Sequence, residues 1–195
     1  MVALMTKAIA ALVLMLLTTQ VAAADDIPAL IDPSGALPAG ITVAGEVDQV
    51  VRWQDKQGAH VAVFTRSVTP PRADGTSVAT VTVVLFAKVK GSYRRGRSWV
   101  ARSGRCARSG AAVDTTQVAV SDRDNDGIGE LTFGLVVDCP RRYTFTLVEG
   151  NKAWQSRYDG QLADECSPIY RYQQSGSDFA RAPAPFRIVA AELNP

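Results

Sequence analysis

Between Ser121 and Val137 the chain reads Ser-Asp-Arg-Asp-Asn-Asp-Gly-Ile-Gly-Glu and then Leu-Thr-Phe-Gly-Leu-Val-Val. Calcium takes roughly six to eight oxygens in flexible geometry, and a loop of the form D-x-D-x-D-G supplies them because alternate side chains turn inward while glycine permits the bend. Asp122, Asp124 and Asp126 occupy the three acidic places, Gly127 the bend, and Glu130 closes the run. With Ile128, which can offer only its main-chain oxygen, these are the expected metal ligands, and calcium is the expected structural cofactor. An EF-hand would place its closing glutamate about twelve positions from the first aspartate and continue as a helix. Counted from Asp122 that place is Phe133, which cannot ligate. Leu131, Phe133 and Leu135 instead alternate with Thr132, Gly134 and Val136, the period of a strand. The site therefore belongs to a β-hairpin. The competing reading is a bare polar turn, which favours the same residue types. Against it, carboxylates this crowded repel one another unless a cation lies among them, and Arg123 is a single charge.

The first residues set the compartment. Lys7, an apolar run from Ala8 to Leu17, and small residues up to Ala24 have the layout of a secretory signal peptide over residues 1–24. The run is too short to span a bilayer. The expected product is a periplasmic or secreted protein with no transmembrane segment in the mature chain. Formal charge is only +2 and falls by one with the leader, so net charge indicates no nucleic-acid partner. Three cysteines, Cys106, Cys139 and Cys166, then face an oxidising environment. Three pairings are possible; Cys106 with Cys139 is favoured because the two flank the acidic hairpin and a bridge would clamp it.

Residues 25–40 carry Pro28, Pro33 and Pro38 and read as an extended arm. From Ile41 onward a single β-rich domain is expected, over 41–195. Val47–Trp53 and Ala59–Thr65 read as strands around the turn Asp55-Lys56-Gln57-Gly58. Val78–Lys90 is the longest β-rich run, with Val81, Val83, Leu85, Ala87 and Val89 on one face. Thr115–Val120 enters the acidic loop, and Arg142–Val148 and Ala153–Tyr158 form a further hairpin. Ser167–Ser177 is polar and reads as a loop, and Phe186–Leu193 has helical spacing, suited to sealing an open sheet edge. The fold class is all-β, a mostly antiparallel meander, sandwich-like or partly propeller-like, with one short C-terminal helix. The turn Asp55–Gly58 overlays Asp124–Gly127 as a faint repeat.

From Lys88 to Arg108 the chain is basic, with Tyr93 and Trp99 interleaved and no acid. Arg94, Arg95, Arg97 and Arg102 are the candidate anion site, because arginine forks grip carboxylate and phosphate. The alternative is a solvated face. His60 is the only histidine, and its place after a turn reads as a surface position. No nucleophile motif or phosphate loop is present. A carbohydrate-active hydrolase using carboxylates such as Asp164 and Glu165 is the enzymatic alternative; no catalytic residues are assigned.

The loop Asp122-x-Asp124-x-Asp126-Gly127-x-x-Glu130 followed by a strand resembles the calcium loops of integrin-type (FG-GAP/VCBS-like) propeller repeats. Taken with Trp53-x-Asp55-x-x-Gly58, Glu149-Gly150-x-Lys152 and the tail from Phe179 to Phe186, the chain is similar to a family of small secreted bacterial proteins, some loosely labelled surface polysaccharide biosynthesis proteins. The resemblance implies a secreted β-rich domain with a calcium loop. The functional expectation is a monomeric, calcium-stabilised, non-catalytic binding or envelope-associated module, its partner an anionic glycan or another envelope protein. A structural or inhibitor-like secreted protein is the alternative. Trp53, Trp99 and Trp154 would form a sugar platform if exposed beside the basic stretch.

Overall fold

The computed structural model describes residues 25–107, 110–162 and 170–187. The expected leader, Cys166, Asp164, Glu165 and the last part of the expected helix lie outside the described residues. Among the described residues the chain forms β1 (Asp25–Asp26), β2 (Ala29–Asp32), β3 (Glu46–Asp55), β4 (Gly58–Val68), β5 (Ala79–Val89), β6 (Ser92–Arg102), β7 (Ala111–Asp122), β8 (Glu130–Val137), β9 (Arg142–Glu149), β10 (Lys152–Leu162) and β11 (Tyr170–Ser177). A 3-10 turn, Phe179–Arg181, and one short helix, α1 (Ala184–Arg187), follow. The all-β class with one short helix is what the alternating pattern predicts.

The strands form two antiparallel sheets, one in the order β1-β7-β8-β9-β10-β11 and one in the order β2-β3-β4-β5-β6. The expected extended arm enters both: β1 pairs with β7 and β2 with β3. The sheets face each other across one core, so the arrangement is a sandwich. Val51, Trp53, Ala62, Phe64, Val81 and Val83 from one sheet meet Val120, Leu131, Phe133, Leu135 and Val137 from the other. Phe64 and Trp99 both pack edge-on against Phe133, with ring centroids 5.7 and 5.8 Å away. Burial of several whole side chains of this size, at about 1.5–3 kcal/mol each, is the main term holding the sheets together.

Each sheet is also covered on its outside. Leu37, Ile41 and Val43 pack over Val50, Val61, Val63 and Phe86. On the other side, Tyr143, Phe145, Leu147 and Trp154 carry Phe179 and Phe186. Phe186 is fully buried and its ring centroid lies 5.2 Å from that of Trp154. The terminal segment was expected to seal a sheet edge; its described part instead covers a sheet face, because that face presents four large apolar side chains.

A second correction concerns Ser167–Ser177. It is not all loop: Tyr170–Ser177 is β11, paired with β10 from Leu162↔Tyr170 to Ser156↔Ser177. The strand lies at an edge with most side chains exposed, so main-chain bonds hold it and no apolar alternation is needed.

Candidate metal centre

The acidic loop is the turn of the β7–β8 hairpin. Asp122 ends β7 and Glu130 opens β8, where it is paired with Ser121. Within the loop the carboxylates organise the main chain. Asp122 accepts from the N–H of Asp126 at 3.0 Å and of Gly127 at 2.8 Å, and Asp126 accepts from the N–H of Ile128 at 2.7 Å. Asn125 and Gly127 have φ of 57° and 82°, the left-handed region that asparagine and glycine tolerate best. One oxygen from each of Asp122, Asp124, Asp126 and Glu130 lies within 4.8 Å of all the others.

Glu130 differs from the three aspartates. Its side chain is fully buried. Oε2 accepts the N–H of Arg123 at 2.6 Å, while Oε1 is buried with no hydrogen-bond partner. Burial, reinforced by the charges of Asp124, Asp122 and Glu149, pushes its carboxyl up to about 8 against the pull of the Arg123 N–H. Asp124 is raised by burial and by Asp126, and Glu149, opposite Glu130 across the strand pair, is raised chiefly by burial. Buried carboxyls crowded by like charges, as Glu130 and Asp124 are, are neutralised either by protons or by a cation. All the converging donors are carboxylate oxygens, the chemistry of a hard divalent ion.

No protein-family model, curated protein or solved structure matches the chain. The reading of this centre therefore stands on its geometry.

Sequence reasoning missed the residue that anchors the loop. The side chain of Asp55 is buried at 1% exposure and accepts from four donors: Gln57 N–H at 2.8 Å, Gly129 N–H at 2.9 Å, His60 Nε2 at 3.0 Å and Trp53 Nε1 at 3.3 Å. Lys56 adds its N–H to the carbonyl of Gly127 at 2.9 Å and its ammonium to that of Asp126 at 3.3 Å. The turns Asp55–Gly58 and Asp124–Gly127, which overlay in the sequence, are thus bonded neighbours in space. His60 is not a surface residue as its position after a turn suggested: its side chain is 16% exposed and stacks on Trp53 at 5.2 Å.

A cavity of about 420 Å³ opens beside the loop, lined by Trp53, Asp55, His60, Arg97, Ile128 and Gly129 among others. Among the described residues no hydroxyl or thiol side chain lines it. The four arginines singled out in the sequence all stand on β6. Arg97 lines this cavity, lies 5.8 Å from the Trp99 ring and donates to the carbonyl of Asn151. Arg102 lines a different one, and Arg94 and Arg95 line neither. The tryptophans form no common platform: Trp53 and Trp154 are buried in separate cores and only Trp99 is half-exposed. Cys106 and Cys139 are bonded as expected.

Proposed function

We propose that the chain is an exported β-domain stabilised by calcium and acting as a non-catalytic binding or envelope-associated module. The observation that carries the metal reading is the buried, unpartnered Oε1 of Glu130, held among three aspartate carboxylates. A buried polar atom without a partner is strongly unfavourable, and a cation at that point removes the penalty together with the mutual repulsion. Asp122, Asp124, Asp126 and Glu130 would supply side-chain oxygens and Ile128 its main-chain oxygen. Calcium suits such a flexible all-oxygen loop better than magnesium, which keeps several waters and demands near-octahedral geometry. The Cys106–Cys139 bridge supports a periplasmic or secreted location, where disulfides persist.

Thermal and urea unfolding with calcium or chelator tests the reading. A hundredfold excess of calcium over its dissociation constant adds about 2.7 kcal/mol of stability, and the double variant Asp124→Ala, Asp126→Ala loses the difference. Identical unfolding with and without calcium would sink the proposal. For the ligand, the burial of Trp53 and Trp154 weighs against a stacking platform for sugar and favours a protein partner over an anionic glycan. A glycan array read against a panel of charged peptides separates the two.

A further inference from the structure

The two sheets do not end together. The five-stranded sheet stops at β6, whose Trp99 sits over Phe133 of β8, while the six-stranded sheet continues through β9, β10 and β11. Along the core-facing side of β9 and β10 the paired residues change character. Val148 with Ala153 is apolar, Thr146 with Gln155 and Thr144 with Arg157 are polar, and Arg142 with Asp159 is charged. A cleft of about 470 Å³ lies between that polar shelf and β6, with Trp99, Arg102, Arg142, Thr144, Gln155 and Arg157 in its lining. One acid, Asp159, lines it against three arginines. Among the described residues none of the three arginines is in an ion pair with a carboxylate; Arg142 donates to the carbonyl of Arg102 and Arg157 to Gln155.

β6 is paired with β5 from Arg102 to Ser92, and among the described residues no strand takes its other edge. An eleven-residue strand with a free edge presents a row of main-chain donors and acceptors, the usual template for strand addition. We propose that an extended acidic peptide segment of a partner protein adds to this edge, lying in the cleft with alternate Asp or Glu side chains turned to Arg142 and Arg157. This assigns a partner class to the binding module proposed above and rests on that reading, though not on the metal.

Charge selects the occupant. Arginines on β6 alone would serve as an edge guard, but Arg142 and Arg157 come from the opposite sheet and line the place where a sixth strand would lie. A second copy of β6 is repelled, since Arg94, Arg95, Arg97 and Arg102 would face like charges. An acidic glycan would meet the arginines yet leave the main-chain row of β6 unused, and the half-exposed Trp99 offers it a single ring.

The test is fluorescence anisotropy of a labelled ten-residue peptide of alternating Glu and Thr, with the purified protein in calcium-containing buffer. Binding is expected, with a Lys–Thr peptide failing and the double variant Arg142→Gln, Arg157→Gln binding at least tenfold more weakly while melting as wild type. A second arm needs no protein variant. Of two peptides N-methylated on opposite edges, one should lose binding tenfold or more and the other should keep it, because only one edge pairs with β6. Equal binding of both, or of neither edge in preference, would reduce the interaction to charge alone and overturn the proposal, as would no peptide binding at all. Capture of oligogalacturonate in place of the peptide would overturn it in favour of an acidic glycan, with the anion-binding module intact. A calcium-dependent melt without peptide binding would remove the strand-addition site and leave the metal reading standing.

Discussion

Asp55 Oδ2 lies 2.9 Å from the main-chain nitrogen of Gly129, a residue 74 positions further along the chain. The bond ties the β3–β4 turn of one sheet to the acidic loop of the other, immediately before Glu130. Removing the carboxylate leaves the N–H groups of Gly129 and Gln57 and the indole of Trp53 without this acceptor. Hydrogen bonds to a charged group contribute about 1.5–3 kcal/mol each when buried, with strong non-additivity. Asp55→Ala should therefore lower stability in urea by about 2–4 kcal/mol and weaken calcium binding in titration calorimetry, although Asp55 is not a ligand. An unchanged calcium affinity would show that the loop holds its shape unaided.

The raised carboxyl of Glu130 fixes a sign for the pH dependence. Between the ordinary carboxyl range and about 8, the folded state keeps a proton that the unfolded chain has released. More protons bound to the folded state means that stability falls as pH rises through that window, and Asp124 and Glu149 act in the same direction. In chelator, unfolding free energy should drop from pH 5.5 to pH 8. In calcium the cation takes the place of the proton, so the increment from calcium grows with pH. Glu130→Gln should flatten the chelator profile and shrink the calcium increment. A chelator profile that climbs with pH would contradict the burial of this charge.

How far the sequence was legible follows from where the partners of each residue lie. The hairpin around Asp122 to Glu130 could be read because its ligand types, its bend glycine and the alternation of Leu131, Phe133 and Leu135 are all local. Cys106 and Cys139 could be paired because they flank that hairpin. Asp55 could not be found: an aspartate in a turn before glycine looks the same whether its acceptors face water or Gly129. His60 was misplaced for the same reason, since Trp53 and Asp55 cover it from across the turn. β11 carries no apolar alternation because neither of its faces is well buried, and β6 reads as a basic run because its register to β5 shows only in the fold.

The disulfide and the acidic loop close opposite ends of one hairpin. Cys106 precedes β7 and Cys139 follows β8, and the bridge spans 33 residues that include the entire loop. A closed loop of that length restricts the unfolded chain by about 3–4 kcal/mol in the chain-entropy account. Cys106→Ala with Cys139→Ala should lower stability by an amount of that order in chelator and in calcium alike. Because the turn end of the hairpin is bonded to Asp55 and Lys56 and not to the bridge, the calcium increment should survive. Its loss, measured as the difference between melts with calcium and with chelator, would mean that the two ends are coupled through the strands.

Phe186 offers the converse test, far from the loop. Its ring is fully buried against Trp154 on the outer face of β9 and β10, the same two strands whose inner face carries Arg142 and Arg157. Phe186→Ala opens a cavity there and should cost about 3–5 kcal/mol. Val136 of β8 packs against this cluster, but no residue of the acidic loop from Asp122 to Glu130 belongs to it, so the gain from calcium should be unchanged within error. The cleft is another matter: β10 loses its backing, Arg157 loses its fixed position, and affinity for an acidic peptide should fall even at temperatures where the variant remains folded by far-ultraviolet circular dichroism. Unaltered peptide affinity in folded Phe186→Ala would show that β9 and β8 alone hold the shelf in place.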